Sequence, residues 1–246
     1  MTLEDHFERS GNWLFRWRSY LPLFFFVLVF IGLRGFRYPN DSAALNLAWC
    51  TFCLAVGLVG LVIRAYTVGH AAPGTSGRNT RTQVAEMLNT TGVYSVVRHP
   101  LYLGNYLMWI AVALVPRAWW VPVVVSLVFW IYYERIMFAE ERFLQRKFGA
   151  AFDEWAARTP AFFPALSRWV PSELPFSLRL ALRGEYSGML GLVVAITAVM
   201  FVGNRIAGGA WSLDPRWEVL LGAALVLYLV LRYLRKKTRI LRAGRD

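Results

Sequence analysis

Six long apolar runs, most of them bounded by charge, set the terms on which this chain can fold. They are about Tyr20–Leu33, between Arg18 and Arg34; Ala43–Ile63, between Asp41 and Arg64; Leu101–Val115 and Ala118–Tyr133, a tight pair broken at Pro116-Arg117; about Tyr186–Gly203; and Trp217–Leu234. A helix needs roughly 20 apolar residues to cross a bilayer, where every backbone polar group must be bonded internally. The shorter runs need flanking aromatic residues to reach both interfaces. Composition agrees with that reading. The 246 residues are 57% hydrophobic and 17% charged, with a mean hydropathy of +0.41, against about 45–50% apolar and 25% charged in soluble domains. A disordered chain is excluded, and two cysteines cannot make a disulfide scaffold. The expected fold is all-α, a polytopic membrane helix bundle of about six transmembrane helices.

The net charge of +12 becomes informative once it is sorted by position. Of the 27 Lys and Arg residues, 22 lie before the first run, in the long segments Arg64–Pro100 and Glu134–Glu185, and from Arg232 at the end of the last run onward; 5 lie in the other connections. By the positive-inside rule this places both termini and both long segments in the cytoplasm of a multi-pass protein of the bacterial inner membrane. No cleavable signal is expected, because the first apolar run starts late and lacks a small-residue cleavage site. The basic tail, Arg232 to Arg245 with Arg235-Lys236-Lys237 at its centre, faces anionic headgroups. Nucleic acid is not an expected partner.

Chemistry is concentrated in the two long segments. No run has a charge near its midpoint, and none shows the paired Gly/Pro breaks of inverted-repeat transporters. A cytoplasm-facing membrane enzyme is the expected class. Cys50 and Cys53 form a C-x-x-C inside an apolar run, where they read as small packing residues. His6, His70 and His99 have no partners at metal-ligand spacing, so no metal site is expected. The segment Tyr94-Ser-Val-Val-Arg98-His99-Pro100-Leu-Tyr102-Leu-Gly104-Asn105 enters the third run. Pro100 suits a first helical turn, leaving Arg98 and His99 at a helix N-terminus fit for an anionic or polar ligand. An interfacial anchor, with a snorkelling arginine and tyrosines in the aromatic belt, fits equally well. After the fourth run, Phe138, Glu141, Leu144 or Gln145, Phe148, Phe152 and Trp155 fall on one stripe if the stretch is a single helix. Glu141 interrupts that apolar face, and a carboxylate there demands a partner or ligand. The bland alternative is an amphipathic interfacial helix with ion pairs one turn apart.

Together the two segments resemble a known signature. Gly92-Val-Tyr94-Ser-Val-Val-Arg98-His99-Pro100-Leu-Tyr102-Leu-Gly104, with Glu140-Glu141-x-x-Leu144-x-x-x-Phe148-Gly149 and then Phe152, Trp155, Arg158, Pro160 and Pro164, is similar to the isoprenylcysteine carboxyl methyltransferase and phospholipid methyltransferase superfamily. The resemblance covers about residues 43–164, and the two blocks together are specific. Phe152 and Trp155 stand where the family usually has Tyr. The resemblance implies an integral-membrane methyltransferase using S-adenosylmethionine, with a cytoplasmic-face site and a lipid or lipidated acceptor. It implies that Tyr94, Arg98, His99, Pro100, Tyr102, Gly104, Glu140 and Glu141 line the cofactor pocket. Arg158 becomes a candidate for binding or activating the acceptor, Arg142 a weaker one, and Glu141 a candidate catalytic group.

The acceptor is open at this point. Arg78, Asn79 and Arg81, in a polar run just before the signature, could cradle a phosphate or carboxylate, or belong to a solvated loop. An anionic oxygen acceptor leads, phospholipid N-methylation follows, and a nicotinamide-dependent membrane reductase or a non-catalytic scaffold are the outside readings. The chain also resembles a bacterial branch that methylates a lipid phosphate. Three regions are expected: 1–42, an N-terminal segment with the first span; 43–164, the methyltransferase-like core; and 165–246, a two-span extension with the basic tail.

Overall fold

The computed structural model describes residues 2–72, 85–238, 240 and 241. Among them are eight α-helices and no strand: α1 (Leu3–Trp17), α2 (Phe25–Gly32), α3 (Ala43–Gly69), α4 (Pro100–Leu114), α5 (Trp120–Phe148), α6 (Ala150–Arg158), α7 (Leu178–Gly208) and α8 (Pro215–Lys237). The polytopic helical bundle is as expected. Four helices, α3, α5, α7 and α8, are long and apolar enough to cross a membrane, or five spans if the bent α1–α2 pair counts as one. The difference from six has two local causes. Helix α4 has 15 residues, about 22 Å at 1.5 Å per residue, short of a hydrocarbon core of about 30 Å. The first run does not form a continuous helix: Pro22 sits in a 3-10 turn over Leu21–Phe24, and Pro22–Gly32 leaves α1 at 74°.

The other runs become helices longer than their apolar letters. Ser42 caps α3 by accepting from Leu45 N, and α3 continues through Arg64 to Gly69. Helix α5 passes through Glu134 and both motif glutamates before Gly149, at φ 54°, stops it. The proposed single stripe therefore breaks: Phe152 and Trp155 belong to α6, a separate helix, and are buried there. Ser177 caps α7, Asp214 and Pro215 start α8, and α8 ends on Arg235, Lys236 and Lys237.

Packing is closest between α3 and α4, and α7 lies against α3. Gly60 on α3 and Gly104 on α4 face each other so tightly that a Cβ at Gly60 would lie 2.5 Å from Gly104 O. Small residues at such crossings replace the hydrophobic drive that lipid cannot supply. The core is formed by Val121, Val125, Phe129 and Tyr133 of α5 with Ile196 and Val199 of α7. Cys50 and Cys53 are unbonded and fully buried in this core. Helix α1 straps the outside of α5: Tyr132 OH donates to Leu14 O at 3.1 Å, Arg146 pairs with Glu8 at 2.7 Å, and Arg142 pairs with Glu4.

Candidate active site

The first motif block is held by the chain that follows α6. Arg98 N donates to Pro160 O at 2.9 Å, His99 N to Ala161 O at 3.2 Å and Ala165 N to Val96 O at 2.9 Å. Gly92 N donates to Val170 O, while Val170 N donates to Ser95 Oγ, both at 2.9 Å. Pro100 then opens α4 at its first position, where a missing N–H is harmless, and His99 is the residue before it. This clamp fixes the direction in which the Arg98 and His99 side chains leave the backbone. They point to the second motif block on α5.

There the side chains converge. His99 Nε2–H donates to Glu141 Oε1 at 2.8 Å, and Nδ1 lies 3.6 Å from Glu140 Oε2. Tyr102 OH donates to Glu140 Oε1 at 2.7 Å, its ring stacked on His99 at 5.8 Å. Arg98 Nε stands 3.1 Å from Glu141 Oε1 but is not aligned to donate to it, so this buried N–H has no hydrogen-bond acceptor among the described residues. Arg98 Nη1 donates to Ala156 O of α6 at 3.2 Å. Two carboxylates, an imidazole, a phenol and a guanidinium thus share one partly buried corner.

Burial alone would lower the His99 pKa, but the hydrogen bonds and charges of Glu140 and Glu141 outweigh it, and the pKa is raised above the ordinary 6.5. The imidazolium is the form that both carboxylates want. A raised folded-state pKa contributes stability that is complete below the unfolded value near 6.5 and is lost as pH rises through the folded value. The thermal unfolding midpoint of the ligand-free protein is therefore expected to fall as pH rises above about 6.5, and to fall less in His99→Asn. Parallel pH profiles for the two proteins would contradict this charge state.

The remaining sequence candidates are distributed more widely. Pro100 is buried at the start of α4. Gly104 faces α3, where an added Cβ would meet Arg64 Cγ at 2.5 Å and Gly60 O at 2.7 Å. Tyr94 O accepts from Trp155 Nε1 at 2.9 Å, and Tyr94 also lines a small cleft with Tyr66, His70, Asn89 and Glu173. Arg158 lies exposed at the end of α6, its carbonyl taken by Arg168. Arg142 turns outward to Gln145 at 3.2 Å and to Glu4 of α1. Arg78, Asn79 and Arg81 lie outside the described residues. Among the described residues no group of three or more His, Cys, Asp or Glu is placed to hold a metal ion.

Sequence reasoning missed a second polar network beside the cluster. Arg64 of α3 forks onto Glu185 of α7 at 2.8 and 2.9 Å and reaches Asn105 Oδ1 at 2.5 Å; Asn105 Nδ2 donates to Tyr133 OH at 3.3 Å. The available signal was Arg64 itself, a charge at the edge of an apolar run. Nothing local pointed to its partner 121 residues away.

Two curated proteins are similar to part of the chain. The nickel-cobalt-cadmium resistance protein NccN of Alcaligenes xylosoxydans xylosoxydans is 36% identical over 116 residues, 46% of this chain and 51% of NccN. The cobalt-zinc-cadmium resistance protein CzcN of Cupriavidus metallidurans is 39% identical over 116 residues, 46% of this chain and 50% of CzcN. The chain thus spans about half the length of the curated relatives it matches. No solved structure matches it significantly. Residues 47–151, which include both motif blocks, match the phospholipid methyltransferase family. That match agrees with the superfamily resemblance of the two blocks.

Proposed function

We propose that this protein is a membrane methyltransferase that uses S-adenosylmethionine to methylate an anionic oxygen, carboxylate or phosphate, of a lipid or lipidated acceptor. The observation that carries the reading is the corner where Arg98 Nε has no acceptor beside the paired carboxylates of Glu140 and Glu141. The donor set fits this cofactor at both ends. A sulfonium is attracted by carboxylates and aromatic faces, which Glu140, Glu141 and Tyr102 offer. Its carboxylate end suits a guanidinium with a buried N–H to spare, as Arg98 has.

When bound, S-adenosylmethionine supplies an activated methyl carbon for in-line displacement. The chain's part is to align and to keep water out. Tyr102 and His99 fix the two glutamates, and the clamp of residues 160–165 fixes Arg98 and His99. An anionic oxygen has no proton to lose, so the lead reading needs no general base. Arg158, exposed at the end of α6, remains the candidate for holding an anionic acceptor. A phospholipid amine is the second reading, favoured by the family matched; it must first lose a proton, for which Glu141 is the candidate base. Activity then rises with pH through the amine's titration, whereas O-methylation does not require this.

Further parts of the reading follow from charge. The site end of the bundle and both termini face the cytoplasm, residues 165–246 form a lipid-shaping extension, and Arg232, Arg235, Lys236 and Lys237 of α8 rest on anionic headgroups. Methylating a lipid phosphate or carboxylate removes one negative charge from the membrane surface and lowers its attraction for divalent cations. This offers a link to relatives named for metal resistance. The test is S-adenosylmethionine binding by detergent-purified protein, paired with mass spectrometry of lipids from cells with and without the chain. Saturable binding and a lipid heavier by one methyl group are expected. Absence of both, with binding of a nicotinamide instead, would replace the reading by a membrane reductase.

A further inference from the structure

We infer that Glu185, on the helix that follows the family-matched segment, is a positioning residue for the His99–Glu140–Glu141 corner, acting through Arg64, Asn105 and Tyr133. Glu185 is buried, with 7% of its side chain accessible, among apolar residues of α7, and Arg64 is 21% accessible. Ionisable groups at such positions in a membrane bundle are expensive unless paired, and their retention marks a task. Here every guanidinium nitrogen has a partner. Nε and Nη2 fork onto the two Glu185 oxygens, and Nη1 reaches Asn105 Oδ1 at 2.5 Å and Leu101 O at 3.5 Å. A planar fork with several fixed partners locks orientation as well as charge.

The locked residue leads directly into the candidate site. Leu101 and Asn105 bracket Tyr102 on the first turns of α4. Asn105 Nδ2 donates to Tyr133 OH, and the Tyr133 ring packs 4.8 Å from that of Tyr102. Tyr102 then donates to Glu140 and stacks on His99. The motif glycine has its place in the same path: the Arg64 stem crosses α4 over Gly104, where a Cβ would stand 2.5 Å from Arg64 Cγ. The pair therefore ties α7 and α3 to the turn of α4 that carries Tyr102. A pair serving only to hold helices together would have no reason to fix that turn's side chains.

The activity arm of the test rests on the methyltransferase reading; the stability arm does not. Glu185→Gln keeps the shape and removes the charge that orients Arg64, while Tyr133→Phe removes one hydroxyl and keeps the packing should Glu185→Gln not fold. Both variants are expected to weaken S-adenosylmethionine binding by roughly tenfold, the scale on which outer hydrogen-bond partners act. Arg146→Ala, which breaks the exposed pair with Glu8, should leave that affinity unchanged. In the ligand-free protein, Glu185→Gln and Tyr102→Phe do not touch yet are expected to change the unfolding midpoint non-additively, as members of one network do. Additive stability effects, or unaltered affinity in a folded Glu185→Gln or Tyr133→Phe, would overturn the inference. Failure of the wild type to bind S-adenosylmethionine, with the non-additivity intact, would instead overturn the methyltransferase reading and leave the coupling standing.

Discussion

Glu141→Gln is expected to weaken S-adenosylmethionine binding by about a hundredfold while leaving the helical content of the protein intact. Glu141 Oε1 accepts from His99 and is the nearest anion to Arg98. The amide keeps the volume and one oxygen but removes the charge that holds His99 as an imidazolium and that would face a sulfonium. Truncating one member of a buried, hydrogen-bonded charge pair costs about 2–5 kcal/mol. Taking roughly 3 kcal/mol gives about a hundredfold in affinity. His99→Ala should act in the same direction, because both glutamates lose the imidazolium that they share. Cys50→Ala is the control: its thiol is buried in the core among α3 neighbours, so binding should survive. Wild-type affinity in Glu141→Gln and His99→Ala alike would remove this corner from the cofactor site.

Much of this corner is legible in the sequence. Glu141 interrupts an apolar face, and a carboxylate so placed asks for a partner; that partner is His99, 42 residues earlier, with Arg98 beside it. The apolar runs likewise located α3, α4, α5, α7 and α8. The helices run past the charges that end those runs. Arg64 lies inside α3 since Glu185 neutralises it, and Glu140 and Glu141 lie inside α5 since His99 and Tyr102 receive them. In a membrane bundle a charge ends the lipid-facing run without ending the helix.

What could not be read depends on contacts between distant segments. Arg142 has a helix partner one turn away in Gln145, but its stronger partner is Glu4, brought in by the docking of α1 along α5. That docking also explains why the first run did not make a straight span. The α1 face pairs with Arg142 and Arg146 while Pro22 turns the chain by 74°. Gly149 is similar: a lone glycine in a helical stripe is tolerated in many helices, and only the adopted φ of 54° decides that α5 stops and α6 begins.

Gly60→Ala is expected to lower the unfolding midpoint in detergent by roughly 10 °C. The new Cβ would stand 2.5 Å from Gly104 O and 2.9 Å from Leu107 Cβ. A backbone carbonyl cannot swing away as a side-chain tip can, so α3 and α4 must separate. Overpacking of this kind costs about 3 kcal/mol at the upper end of its usual range, and 1 kcal/mol is worth about 2–4 °C in a chain of this size. The α3–α4 crossing also carries Arg64 over Gly104, so separation moves Asn105 and Tyr102 with it, and cofactor affinity should fall along with stability. Gly191→Ala on α7 supplies the contrast. Nothing lies within 4 Å of its added Cβ, and alanine is the better helix former by about 1 kcal/mol, so that variant should equal or exceed the wild type. Equal midpoints for Gly60→Ala and Gly191→Ala would mean that the two helices do not meet at their backbones, and that Gly104 has another reason to be glycine.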